Sequence, residues 1–188
     1  SFNSISQRVL LVVFFTLFSM NSLADVPQPD GYRMELYDDL VPAALDGATR
    51  VSALQVRELQ QAEEIVIVDV IPEVRKPDFL PEDQIWVPVP HRGIANALWL
   101  PDVGFGVLSE VTENYFKKHL AKASNENLEK PIVFYCRTDC WMSWNAAKRA
   151  LSYGYTRIYW FADGIEDWDF EGFEFAILEP AEGKRQAD

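Results

Sequence analysis

Two cysteines, Cys136 and Cys140, stand four positions apart in the stretch EKPIVFYCRTDCWMSWNAAKRALSYGY, residues 129 to 155. A thiolate attacks sulfur and also leaves from it, so such a pair suits persulfide formation, thiol–disulfide exchange or a plain structural bridge. Cys136 closes the apolar run PIVFYC, and a helix-like pattern follows Cys140. In a parallel sheet, reactive groups gather at the carboxyl ends of strands. A helix behind that end aims unpaired N–H groups back at it, which favours a thiolate or a bound anion. Cys136 is therefore expected to emerge from the sheet among inward-aimed amides. For Cys140 two geometries stand open. A helical turn over the loop brings the sulfurs of positions i and i+4 near enough to bridge, whereas a loop cupped around Cys136 splays its side chains outward.

The elements that must position this pair are legible in outline. IVIVDV, residues 65 to 70, PIVFYC and TRIYWF are short β-branched or aromatic runs of the kind buried in a parallel sheet. Between them, VSALQVRELQQAEE opens on Ser52 with Gln55 placed to close a capping box. SEVTENYFKKHLAKA has Ser109 as a cap, Glu110 and Glu113 early, and Lys117, Lys118 and His119 later, in accord with a helix dipole. In MSWNAAKRALSYG the apolar stripe holds Met142, Ala146, Ala150 and Tyr153, so Asn145, Lys148, Arg149 and Ser152 are expected to face away, with Gly154 as the stop. DQIWVPVPHRGIANALWLP is broken by prolines and predicts at most short strands, and ADGIEDWDFEGFEF predicts a short helix or turn with a closing loop. Strands alternating with helices give an α/β fold: a mainly parallel central sheet with helices on both faces.

Residues 25–50 read as an irregular arm, 51–180 as one domain and 181–188 as a flexible tail. Residues 1–24 read as a cleaved export signal: Arg8, then the apolar run VLLVVFFTLFSM, then small residues at Ser22 and Ala24. That run is shorter than the roughly 20 residues a membrane span needs, so no stable span is expected after cleavage. Export to an oxidising compartment makes a Cys136–Cys140 disulfide a live alternative. The formal net charge of −12 argues against nucleic acid as a partner.

Taken in order, IVIVDV, HRGIANALWLP, PIVFYCR with its helix, and GYTRIYWFADGIEDW resemble the landmarks of the rhodanese-like domain over about residues 51 to 170. CRTDCWMSWNAAKRAL and the arm PDGYRMELYDDLVPAALDGA further resemble an exported subfamily with a CxxxCW motif, associated with catabolism by pyrroloquinoline quinone (PQQ) enzymes. The resemblance implies a periplasmic sulfur carrier or sulfurtransferase that holds a persulfide on Cys136. Arg137, Thr138, Asp139, Trp141, Met142 and Ser143 would form its substrate-binding loop, with Cys140 as a second catalytic thiol. It implies as partners a small sulfur donor or thiol acceptor and a PQQ-dependent dehydrogenase or its electron-transfer proteins. A thiol/disulfide redox protein using both cysteines and a non-catalytic binding module of a quinoprotein system are the alternatives. Against the usual rhodanese loop this one is a residue longer, has Met142 where a charged donor is expected, and is formally neutral because Asp139 offsets Arg137. A small anion such as thiosulfate gains little from it.

No cofactor or metal is expected. The two histidines and two cysteines lack paired ligand spacing, and Asp163, Glu166, Asp167, Asp169 and Glu171 fit a solvated acidic face rather than a calcium loop. His91 is expected to order a turn and His119 to end a helix; Trp141 and Trp144 read as packing. GFG at 104 to 106 is too short for a dinucleotide fingerprint.

Overall fold

The computed structural model describes residues 25–185; the expected signal segment and the last three residues lie outside the described residues. Three apolar runs become the strands β2 (Val66–Asp69), β5 (Ile132–Tyr135) and β6 (Ile158–Phe161), joined by β1 (Thr49–Arg50) and β4 (Leu98–Trp99). They form a five-stranded sheet, ordered β1-β6-β5-β2-β4, in which every pairing is parallel. Four helices connect it: α1 (Ala53–Ala62), α2 (Glu110–Ser124), α3 (Trp141–Ser152) and α4 (Gly164–Phe170). Outside the sheet, β3 (His91–Ile94) pairs antiparallel with β7 (Phe175–Leu178).

Register decides which residues share a face. Phe134 lies opposite Trp160 and Tyr135 opposite Phe161, and paired residues point the same way. On the Phe134 side, Phe116 of α2 meets Phe134 edge-on at 6.0 Å, and Trp160 donates to Ser143 Oγ of α3 at 3.0 Å. On the Tyr135 side, the Tyr135 hydroxyl accepts the Ile94 amide of β3 at 2.9 Å. There α1 meets α4 through the Arg57 guanidinium, 5.1 Å from the Trp168 ring. The sheet is thus covered on both faces, and β5, buried throughout, is its centre.

The helices start where their caps place them. Ser52 and Gln55 complete the capping box of α1, and Ser109 caps α2 through the Thr112 amide. Asp167 adds a feature the sequence reading placed in solvent: its carboxylate accepts the Ala53 amide at 2.8 Å, at the positive end of α1.

The polar side of α3 departs from expectation. Asn145 and Arg149, expected to face water, are buried. Irregular backbone covers that side and needs donors: Arg149 donates to the carbonyls of Val103, Phe105 and Gly106 at 3.0–3.1 Å. Asn145 exchanges hydrogen bonds with the Arg33 backbone and donates to the Gly104 carbonyl, each at 2.9 Å. Lys148 holds the carbonyls of Pro29, Asp30 and Gly31. The arm therefore lies along α3. In place of a free tail, residues 181–185 are held to the body, with Tyr115 donating to the Ala181 carbonyl and Arg185 paired with Glu73 and Asp102.

Candidate active site

Cys136 follows the last residue of β5, at the carboxyl end of the central strand. Its carbonyl accepts the Ile165 amide at 3.0 Å, which locks the strand end to α4. Arg137, Thr138 and Asp139 then form an exposed turn rather than a helical one, reversed by Asp139 at φ 52°. Aspartate tolerates the left-handed region better than most residues. Helix α3 begins only at Trp141, with Cys140 in the N-cap position. The positive helix end accordingly lies on Cys140, not on Cys136 as the sequence suggested.

Both cysteines are free thiols, 1% and 2% exposed, and they lie close enough for each to shift the titration of the other. The sulfurs thus come together as the helical-turn geometry expects, but through a non-helical turn. Cys136 does not emerge into solvent; burial pushes its thiol well above the ordinary value, and the neighbouring Cys140 raises it further. The Cys136 thiol, as donor, pulls Cys140 below its ordinary value, helped by the amides of Met142 and Arg137. The Arg137 amide faces both sulfurs. Burial opposes ionisation of both thiols, and two amides at a helix N-terminus against one amide make Cys140 the one that ionises first.

The rest of the loop is satisfied from within. Glu166 Oε2 accepts the Thr138 amide at 2.7 Å and its hydroxyl at 3.3 Å, and that hydroxyl also lies 2.7 Å from the Asp163 carbonyl. The arm takes the far side: the Asp39 amide donates to the Asp139 carbonyl at 3.0 Å and the Trp141 amide to the Tyr37 carbonyl at 2.8 Å. Trp141 and Trp144 are packing residues whose indole N–H groups donate to the Leu40 and Ala44 carbonyls of the arm. Met142 and Ser143 are buried, Ser143 as the acceptor for Trp160. Of the predicted loop, Arg137, Thr138 and Asp139 face outward, while Cys140, Trp141, Met142 and Ser143 face the core.

Beneath Cys136 lies a group the sequence reading passed over. Asp69, 0% exposed at the end of β2, accepts from the Tyr135 hydroxyl at 2.6 Å and the Ile71 amide at 2.9 Å. His91 Nε2 lies 2.8 Å from the same carboxyl oxygen as Tyr135, and its ring stacks on Trp99 at 4.0 Å. The available signal was an acid ending an apolar strand, which needs partners wherever it is buried. Among the described residues, no group of three or more His, Cys, Asp or Glu is placed to hold a metal ion.

The family model of the rhodanese-like domain matches residues 52–171, a span that begins at the α1 cap and ends just past α4. The chain belongs to this family. Among solved structures, this rhodanese-like domain is similar to the polysulfide-sulfur transferase homodimer of Wolinella succinogenes, at 24% identity and a TM-score of 0.46, covering 71% of this chain and 82% of that one. It is also similar to a thiosulfate sulfurtransferase of Pseudomonas aeruginosa, at 14% identity and a TM-score of 0.49, covering 74% of this chain but 22% of that one. A third is an uncharacterized protein of Saccharomyces cerevisiae, at 19% identity and a TM-score of 0.40, covering 66% and 93%. No curated protein matches the sequence. The fold of this rhodanese-like domain supports sulfur transfer in general. The arm that closes over Cys140 falls outside the matched span.

Proposed function

We propose that this rhodanese-like domain is a sulfur carrier or sulfurtransferase that holds sulfane sulfur as a persulfide on Cys136, with Cys140 as the proton acceptor. The observation that supports this reading is the placement of Cys136 at the carboxyl end of the central strand with Cys140, at the N-terminus of α3, as the neighbouring thiol and the one whose deprotonated form is favoured. A buried thiol is a weak nucleophile until a base takes its proton, and Cys140 is the neighbouring group placed to take it. As the Cys136 sulfur attacks the terminal sulfur of a persulfide or polysulfide donor, its proton passes to Cys140. The donor S–S bond breaks, its electron pair leaves on the donor thiolate, and a new S–S bond forms on Cys136. An acceptor thiolate then attacks the outer sulfur and carries it off, Cys136 leaves as the thiolate, and the proton returns from Cys140. No net oxidation occurs. Thiosulfate is a poor donor in this account, because Glu166 already occupies the Thr138 amide and hydroxyl.

The same contact favours one second reading, a thiol/disulfide redox protein. Neighbouring sulfurs that share one proton need only a short approach to bridge, with two electrons passing to a disulfide oxidant and that one proton released. Intact-mass measurement separates the two. A polysulfide donor is expected to add sulfur to the wild-type chain and to Cys140→Ser but not to Cys136→Ser, and a thiol acceptor to remove it. Oxidation to a bridged form with no added sulfur under any donor favours the redox reading. Export to a periplasm and service to PQQ-dependent alcohol oxidation are proposed from the sequence resemblance. Recovery of the mature chain in a periplasmic fraction, cleaved after Ala24, tests the first.

A further inference from the structure

Beside the turn that follows Cys136 lies a cavity of about 380 Å³, bounded by the loop of residues 71–90, the start of β3 and the end of β7. Arg137 is the member of the cysteine loop that lines it, so the cavity opens at the carboxyl end of the central strand. Its charged lining is two arginines and two glutamates, and the arginines are the members without an acidic partner. The Arg137 guanidinium has no hydrogen bond or ion pair among the described residues, and the exposed Arg92 guanidinium lies over the Phe175 ring at 4.5 Å. His91 adds a ring edge. Of the glutamates, Glu73 is already paired with Arg185, which leaves Glu179 as the opposing charge. The remaining wall is apolar without being core: Val87 and Val89 are 79% and 88% exposed, so packing within the chain does not account for them.

We propose that this cavity binds a small organic anion, an apolar body of aryl or short-alkyl size bearing one sulfonate-, thiosulfonate- or carboxylate-type head. The head sits between Arg92 and Arg137 and the body lies on Val87 and Val89. Guanidinium groups hold such oxyanions by paired N–H donors, and the valines supply the apolar contact that an inorganic ion cannot use. The volume lies at the small end of the range for ligand sites. That this anion is the organosulfur reactant of the transfer rests on the function proposed above; that it binds does not.

Benzenesulfonate, which has the head and body but no sulfane sulfur, separates the two. It is titrated by calorimetry into the Cys136→Ser chain, where no transfer takes place. Saturable binding is expected, weakened about tenfold or more by Arg92→Ala and likewise by Val89→Asp, with inorganic sulfate a poor competitor. Val89→Asp changes an exposed side chain, so it preserves the fold should Arg92→Ala perturb β3. Absence of saturable binding, indifference to both substitutions, or equal competition by sulfate would overturn the proposal. A chain that binds benzenesulfonate in this way yet never accepts sulfur on Cys136 retains the cavity assignment and loses the transfer reading.

Discussion

Tyr135 shows how little of the cysteine site is free to vary. Its hydroxyl donates to the buried Asp69 and accepts the Ile94 amide, and burial, with Asp69 beside it, keeps that hydroxyl protonated far above its usual range. Tyr135→Phe leaves one buried amide and one carboxyl lone pair without a partner, so a loss of about 2–3 kcal/mol is expected in denaturant unfolding. The two cysteines, one and five residues further along the chain, keep their contact. At this scale the sequence was informative about types and poor about orientation. Cys136 was legible because an apolar run ended on it; that its sulfur is buried was not, since burial depends on the arm and on α4, which are distant in sequence. Glu166 read as surface charge because its use by the Thr138 amide is a contact across 28 residues.

The join between β5 and α4 decides whether the loop can keep its shape. Gly164 sits at φ +60°, and a Cβ there would overlap the Cys136 carbonyl oxygen, far inside van der Waals contact, and fall 2.8 Å from the Arg137 carbonyl carbon. Gly164→Ala combines that clash with a left-handed backbone. A cost of about 2–3 kcal/mol is expected, along with slower sulfur loading, read by thermal unfolding and by the mass assay respectively. On the other side of the pair, Asn145 ties α3 to Arg33 and Gly104. Asn145→Ala is expected to cost about 2 kcal/mol and to speed proteolytic cutting within residues 25–48 more than elsewhere. Elements built from local signals, the capped helices and the three central strands, were legible. The antiparallel partner β7 reads as a closing loop in sequence, because four residues declare a strand only through their partner, and the pairing of Ile94 with Phe175 spans 81 residues. The polar face of α3 misled for the same reason: a helix face that donates to irregular backbone looks like one that faces water.

Across the whole molecule, the arm is what separates this chain from the span its family shares. It pairs with both sides of Cys140, covers Trp141, and lies along α3 for most of its length. Deleting residues 25–40 is expected to raise the alkylation rate of both cysteines about tenfold or more, since their access then no longer needs local opening. An unchanged rate would mean that reagents reach the pair by the side of Arg137. The account depends on a shared proton, with the charge held on Cys140 and the proton on Cys136, and the pH dependence of alkylation mapped to each cysteine tests it most directly. In the wild-type chain Cys140 is expected to react first, with a midpoint below the ordinary thiol value, because its lowered pKa keeps the thiolate as pH falls. In Cys140→Ser the one remaining thiol, raised by burial, should titrate above that value and react about tenfold or more slowly at neutral pH. Equal midpoints for the two cysteines, or a Cys140→Ser profile that overlays the wild type, would contradict it.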